Sequence, residues 1–233
     1  MVSPKLVTLV AGGSGFLGTA IRKELPGRAI TLDVERPTGK GWWHTCDLTS
    51  RMDVRQVIRD IGRVDVLVYT AGRHGEQFWT DPFAYDAWHK TMGVYLDGAF
   101  YLLREVLPGM VNRRFGRIVL IGSVYGAVAP DFDLYPKRRV PPPGYCAAKA
   151  GLVGLARWVA VRCGKRGVTC NVVSPAGVVG SVPDARLRRR LTAKMPSGQL
   201  VSPADVARAV RFCLDTPSLN GHELVVDGGW RAR

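Results

Sequence analysis

The chain has 233 residues, 46% hydrophobic and 22% charged, which is the composition of one globular domain with a sizeable core. No apolar run reaches the roughly 18 residues needed to span a membrane, and the short apolar start runs straight into a glycine loop, as a first buried strand does and a signal peptide does not. Lys+Arg outnumber Asp+Glu by 33 to 19, a net +14, while five scattered cysteines, odd in number and without metal-ligand spacing, read as free thiols of a reducing cytoplasm.

Apolar runs of strand length alternate with helical patterns. Residues 5–11 read as a strand and 15–25 as a helix closed by Pro26. A strand at 28–33 and a short one at 42–46 follow, joined by a Pro/Gly-rich link too short for a full helix. Residues 51–61 are helical and 64–70 (VDVLVYT) are a buried strand. A long helix is expected over 85–112, with an interruption near Pro108. Then come a strand at 117–121, a helix at 145–165, a strand at 169–174, a helix at 203–215 and a last strand at 222–226. Residues 130–143 (PDFDLYPKRRVPPP) read as a loop. Buried strands alternating with helices predict an α/β fold, a doubly wound parallel sheet of about seven strands with helices on both faces.

Two segments carry chemistry. Ala11-Gly-Gly-Ser-Gly-Phe-Leu-Gly18 lies between the first strand and first helix, the context a phosphate-binding loop requires. There glycines let backbone approach a pyrophosphate, and a helix N-terminus supplies N–H groups. Asp33 ends the second strand, 21 residues after Gly12, where an acid accepts hydrogen bonds from a ribose diol and repels a 2′-phosphate; this favours NAD over NADP. Arg36 is placed to offset that preference, and Asp33 also suits a turn. Further on, Tyr145 and Lys149 are four residues apart on one helix face, and an ammonium beside a phenol lowers its pKa toward working pH.

With these pieces in order, the chain resembles the short-chain dehydrogenase/reductase family, in its compact single-domain branch, over nearly its full length. The resemblance rests on the glycine loop, Asp33, Cys46-Asp47-Leu48, Thr70-Ala71-Gly72, Ser123, Tyr145 with Lys149, Asn171-Val-Val-Ser-Pro175, Ser202-Pro-Ala-Asp-Val-Ala207 and Val226-Asp-Gly-Gly229. It implies one Rossmann-type domain over 1–233, with residues 1–115 mainly the dinucleotide-binding half and 116–233 the catalytic and substrate half. It implies a dinucleotide, NAD with NADP as the alternative, held by Gly12, Ser14, Gly15, Phe16, Leu17, Gly18, Asp33, Asp47, Leu48, Thr70, Ala71, Gly72, Tyr145, Lys149, Pro175, Ala176 and Val178, with no metal. Tyr145 is the expected general acid or base, Lys149 the holder of the nicotinamide ribose and Ser123 the partner of the substrate oxygen. The resemblance further implies a small-molecule substrate and a homodimer or homotetramer packed through the helices at 85–112 and 145–165.

Four departures stand out. Phe16 occupies the place of the usual middle glycine, Thr70 replaces an asparagine, and Tyr95 falls where the resemblance puts an active-site asparagine that supports a water relay. Ser123 and Tyr145 are 22 residues apart, the surplus being the 130–143 loop. That loop reads either as a tolerated surface insertion or as a lid or subunit contact whose Lys137, Arg138 and Arg139 meet an anionic substrate or carrier. The other basic residues read first as a solvated surface and second as a docking face for an anionic partner, with nucleic acid the lesser part of that reading. After Pro175, residues 184–191 form a short helix whose arginines face solvent. The leading expectation is an NAD(H)-dependent oxidoreductase interconverting a secondary alcohol and a ketone. A non-redox enzyme on the same fold (dehydratase, epimerase or cyclase) and a cofactor-bound regulator are the alternatives.

Overall fold

Strands β1 (Thr8–Ala11), β2 (Ala29–Asp33), β3 (Trp42–Thr45), β4 (Val66–Tyr69), β5 (Gly116–Ile121), β6 (Val168–Pro175) and β7 (Glu223–Val226) pair in parallel in the order β3-β2-β1-β4-β5-β6-β7. The structure, a computed structural model, describes residues 5–25, 29–37, 41–72, 83–135, 140–182 and 184–232. Successive strand residues point to opposite faces, and both faces are covered, which is why the strands read as unbroken apolar runs. Leu9, Leu67, Tyr69, Ile118 and Leu120 join the core layer beneath α2 (Arg51–Ile61), α4 (Gly98–Asn112) and α5 (Pro143–Cys163). Val10, Val66, Val68, Val119 and Ile121 join the opposite layer, covered by α1 (Phe16–Glu24), α6 (Ala185–Lys194) and α7 (Pro203–Asp215). The chain winds outward in both directions from the β1/β4 pair, so a crevice opens at the carboxyl ends of these strands.

Side chains fix the ends of several elements. The Ser50 hydroxyl accepts the Asp53 N–H at 3.2 Å and donates to its carboxylate at 2.8 Å, a reciprocal start to α2. Ser202 opens α7 in the same way, with Pro203 at the first helical position. Just before β4, fully buried Asp65 accepts the Val7 N–H at 3.1 Å and pairs with Arg63 at 2.9 Å and Arg113 at 3.4 Å, fastening β1, β4 and the end of α4 together. Asn171, buried on β6, donates to the Leu219 carbonyl and accepts from His222, so its part in the expected motif is to hold the approach to β7.

The long helix corrects the expected interruption. It runs unbroken through Pro108, an exposed residue whose missing hydrogen bond faces solvent. The irregularity lies earlier, between α3 (Tyr85–Met92) and α4, where Gly93–Asp97 form one π-helical turn and Gly98 N–H reaches the Gly93 carbonyl. Close approach to β4 explains the position: a Cβ on Gly98 would stand 2.5 Å from the Tyr69 hydroxyl and 2.9 Å from the Leu48 carbonyl. The Tyr69 phenol donates to the Val94 carbonyl within that turn. The π turn directs Tyr95 inward, leaving it 3% exposed. The expected 130–143 loop contains a short 3-10 turn, Phe132–Leu134, while Lys137, Arg138 and Arg139 lie outside the described residues, as does 73–82.

Candidate functional site

The crevice is a cleft of about 980 Å³. Every expected site residue lines it except Gly18. Gly18 acts from behind: a Cβ there would meet the Gly12 carbonyl oxygen at 2.2 Å and Gly13 Cα at 2.7 Å, so its role is to let α1 seat against the loop. Gly12 has φ +77°, and its own Cβ direction is filled by Ala71 Cα at 2.5 Å. This leaves a backbone cradle of N–H groups at the start of α1 with no side chain inside it, which fits a pyrophosphate. Phe16, where a middle glycine is usual, turns out of the cradle; its ring lies where a Cβ on Gly180 would come within 2.8 Å.

At the outer end, Asp33 takes the turn role. One carboxylate oxygen accepts the Ser14 N–H at 3.0 Å and the other faces Glu35 N–H at 3.4 Å, tying β2 to the glycine loop. The Ser14 hydroxyl donates to the Glu35 carbonyl at 2.6 Å. Glu35 also lines the cleft, so two carboxylates stand at this end. Arg36, the residue placed to offset Asp33, lies over the Trp43 ring at 5.9 Å.

The inner end joins β5, the π turn and α5. Ser123 follows β5 and is buried; its oxygen accepts the Tyr125 N–H at 3.2 Å and is hydrogen-bonded to the Tyr145 phenol. Lys149 is buried one helical turn after Tyr145 and donates to the Ile121 carbonyl at 2.6 Å. Burial pushes its ammonium down to about 7. Tyr95 completes the cluster: its ring meets Tyr145 edge to face with centroids 5.1 Å apart, and the Lys149 nitrogen sits 4.8 Å from the Tyr95 centroid. The ring occupies the space a Cβ on Gly72 would need, at 2.3 Å.

One electrostatic expectation is corrected. Tyr145 does not have a lowered pKa in this site; burial pushes it up to about 12, against the lowering effect of Ser123. The ammonium is 5.6 Å from the Tyr145 ring centroid and spends its hydrogen bond on Ile121, so desolvation outweighs it. Tyr125 and Tyr135, whose hydroxyls are 2.6 Å apart, also line the cleft and had no distinct signal beyond Tyr125 standing two residues after Ser123. Cys46 lines it too, but burial pushes its thiol up to about 12, which disfavours the thiolate. All five cysteines are free, and among the described residues no group of His, Cys, Asp and Glu is placed to hold a metal and no helix is long and apolar enough to cross a membrane.

The family model described as enoyl-(acyl carrier protein) reductase matches residues 10–231. An uncharacterized oxidoreductase of Schizosaccharomyces pombe is 31% identical over 96% of this chain and 90% of its own length. The 3-oxoacyl-[acyl-carrier-protein] reductase FabG of Escherichia coli is 31% identical, covering 95% of this chain and 89% of the relative. Among solved structures, a short-chain dehydrogenase/reductase family oxidoreductase from Burkholderia thailandensis superposes with a TM-score of 0.84 at 30% identity, over 100% of this chain and 94% of that one. A short chain dehydrogenase from Leptospira borgpetersenii with bound NAD+ gives 0.87 at 24% identity, over 97% and 92%. With the parallel sheet, the glycine cradle and the Ser123/Tyr145/Lys149 cluster in place, the chain belongs to the short-chain dehydrogenase/reductase family of oxidoreductases.

Proposed function

We propose that the protein interconverts a ketone and a secondary alcohol, with NAD(H) as its dinucleotide. The carrying observation is the hydrogen-bonded Ser123–Tyr145 pair set beside buried Lys149 in the same cleft as the glycine-lined backbone cradle. The first N–H groups of α1, on Phe16 and Leu17, would hold the pyrophosphate where Gly12 and Gly15 let it approach. Asp33 would hold the adenosine ribose, and Asp47 and Leu48 the adenine side. Tyr145 and Lys149 would hold the nicotinamide ribose. Bound there, the nicotinamide supplies or accepts the hydride.

The remaining chemistry belongs to the chain. A substrate oxygen near Ser123 Oγ and Tyr145 Oη accepts two hydrogen bonds, which stabilise charge as it develops on that oxygen. Tyr145, held as a phenol by burial, is in the acid form that carbonyl reduction uses; alcohol oxidation requires the phenolate and so higher pH. Ser14, Asp33 and Glu35 give the ribose end hydrogen-bond acceptors and negative charge, which favours a 2′-hydroxyl over a 2′-phosphate. Tyr95 acts as a positioning residue, bracing Tyr145 edge-on and lying under the Lys149 ammonium.

Tyr145→Phe tests the assignment: turnover is expected to vanish while dinucleotide affinity stays within a fewfold, and undiminished turnover would overturn the role. Fluorescence titration with NADH and NADPH tests the cofactor; tighter NADPH binding would overturn the Asp33 argument. The aromatic closure behind Lys149 also suits a non-redox proton transfer, which would show as turnover without net change in nicotinamide absorbance. Phe100 on α4 and Trp158 and Val161 on α5 are exposed, an apolar face that suits pairing with a second copy.

A further inference from the structure

Helix α6 (ARLRRRLTAK) carries four arginines and a lysine and no acid. Leu187 and Leu191 reach the main cleft, whereas Arg186, Arg189 and Arg190 line a separate recess of about 510 Å³ against Leu134. Spacings of three and four residues put these guanidinium groups on one helix face, where like charges repel. Among the described residues, no acidic side chain pairs with Arg186 or Arg189. The acid in the recess wall, Asp184, accepts the Leu187 N–H at 2.7 Å as the cap of α6.

The far wall is already assembled. Lys194 pairs with Asp131 at 2.6 Å and Arg190 donates to the Leu134 carbonyl at 3.2 Å, so the Phe132–Leu134 turn is tied to α6 at two points. Asp184 and Leu187 line both the recess and the main cleft, and Tyr135 of the cleft adjoins Leu134 of the recess. A ligand reaching from Tyr145 past Tyr135 and Leu187 therefore meets several guanidinium donors. Guanidinium forks bind phosphate oxygens two at a time, and a phosphate relieves the repulsion along α6.

We propose that this recess binds a phosphate group on the non-reacting tail of the substrate. Only the word substrate rests on the carbonyl-reducing function; the phosphate site stands on the recess itself. The probes are coenzyme A, with a phosphorylated tail, and pantetheine, without one, titrated by calorimetry into protein saturated with NADH or NADPH to block the dinucleotide site. Coenzyme A is expected to bind at least tenfold more tightly than pantetheine, with an affinity that falls as NaCl is raised. Arg186→Glu/Arg189→Glu should weaken it at least tenfold, whereas Arg55→Glu/Arg59→Glu on α2, an equal change of net charge, should stay within threefold. Arg186→Gln/Arg189→Gln repeats the test without adding negative charge, and a retained thermal shift with dinucleotide shows that each variant is folded. No preference for coenzyme A, or equal losses in the α6 and α2 variants, would overturn the proposal. Binding of inorganic pyrophosphate without coenzyme A would also overturn it, assigning the recess to a free anion. Reduction of ethyl acetoacetate is measured in parallel: its absence counts against the carbonyl chemistry and leaves the calorimetric result to decide the recess.

Discussion

Replacing Gly18 with alanine sets two effects of opposite sign against each other. Gly18 is in α1, and alanine in a helix interior is favoured over glycine by about 1 kcal/mol. Against that, the new Cβ would lie 2.2 Å from the Gly12 carbonyl oxygen and 2.7 Å from Gly13 Cα. Both distances are far inside the roughly 3.5 Å of ordinary contact. The obstruction is backbone, so no side chain can swing aside. Nor can the loop retreat, since Gly12 donates to the Leu32 carbonyl at 2.8 Å and abuts Ala71 on its other side. Overpacking of this kind costs about 1–3 kcal/mol, which leaves a net loss of up to about 2 kcal/mol and a fall in Tm of several degrees. The displaced atoms are those of the phosphate cradle, so dinucleotide affinity is expected to fall at least tenfold. Thermal melts with and without NADH or NADPH, together with fluorescence titration, measure both effects. A Gly18→Ala protein that melts higher and binds dinucleotide as tightly as the parent would refute the packing argument.

Gly154→Ala is the same exchange in α5 with nothing of its own chain within 4 Å of the new Cβ, so differential scanning calorimetry of the monomer should show a gain of about 1 kcal/mol, reduced where the Trp158 and Val161 face it shares is paired. Asp65→Ala removes the acceptor of the Val7 N–H and the partner of two arginines; denaturant titration is expected to show a loss of about 2–3 kcal/mol, and a loss below half a kilocalorie would contradict the fastening role. Lys149 gives a pH signature. Its folded pKa of about 7 is below that of an unfolded lysine, so between these values the unfolded chain binds more protons and stability rises with pH; below about 7 both states are protonated and the penalty is fully present. Melts of the dinucleotide-free protein and of Lys149→Met should therefore diverge in slope from neutral pH upward, and parallel profiles would contradict the burial argument.

The parts of this molecule written in local pattern were legible in its sequence. Buried strands gave apolar runs, helical patterns gave 51–61 and 203–215, and the glycine loop gave its position between strand and helix. Features set by approach between distant segments were not. Nothing near residue 95 announces a π turn, because its cause is the meeting of Tyr69, Leu48 and Gly98 across the fold, whereas Pro108 offers a local signal for a break that solvent renders harmless. The Tyr145–Lys149 spacing was readable, but its electrostatics depended on how deeply both groups are buried and on Lys149 turning to Ile121. The α6 arginines read as solvent-facing and are exposed, but the recess they line was not legible, because Leu134, far away in the chain, supplies its opposite wall.

The contact between Phe16 and Gly180 has a kinetic consequence. It joins the glycine loop to the turn beyond β6, so the two rims of the cleft touch there. A dinucleotide held in that cleft would leave more slowly while the rims touch, and opening of this kind limits turnover in many enzymes whose chemistry is fast. Trimming the ring, as in Phe16→Ala, should then speed dinucleotide departure more than it weakens the hydride-transfer step. The aromatic ring in place of a glycine would thus set how long the cofactor stays.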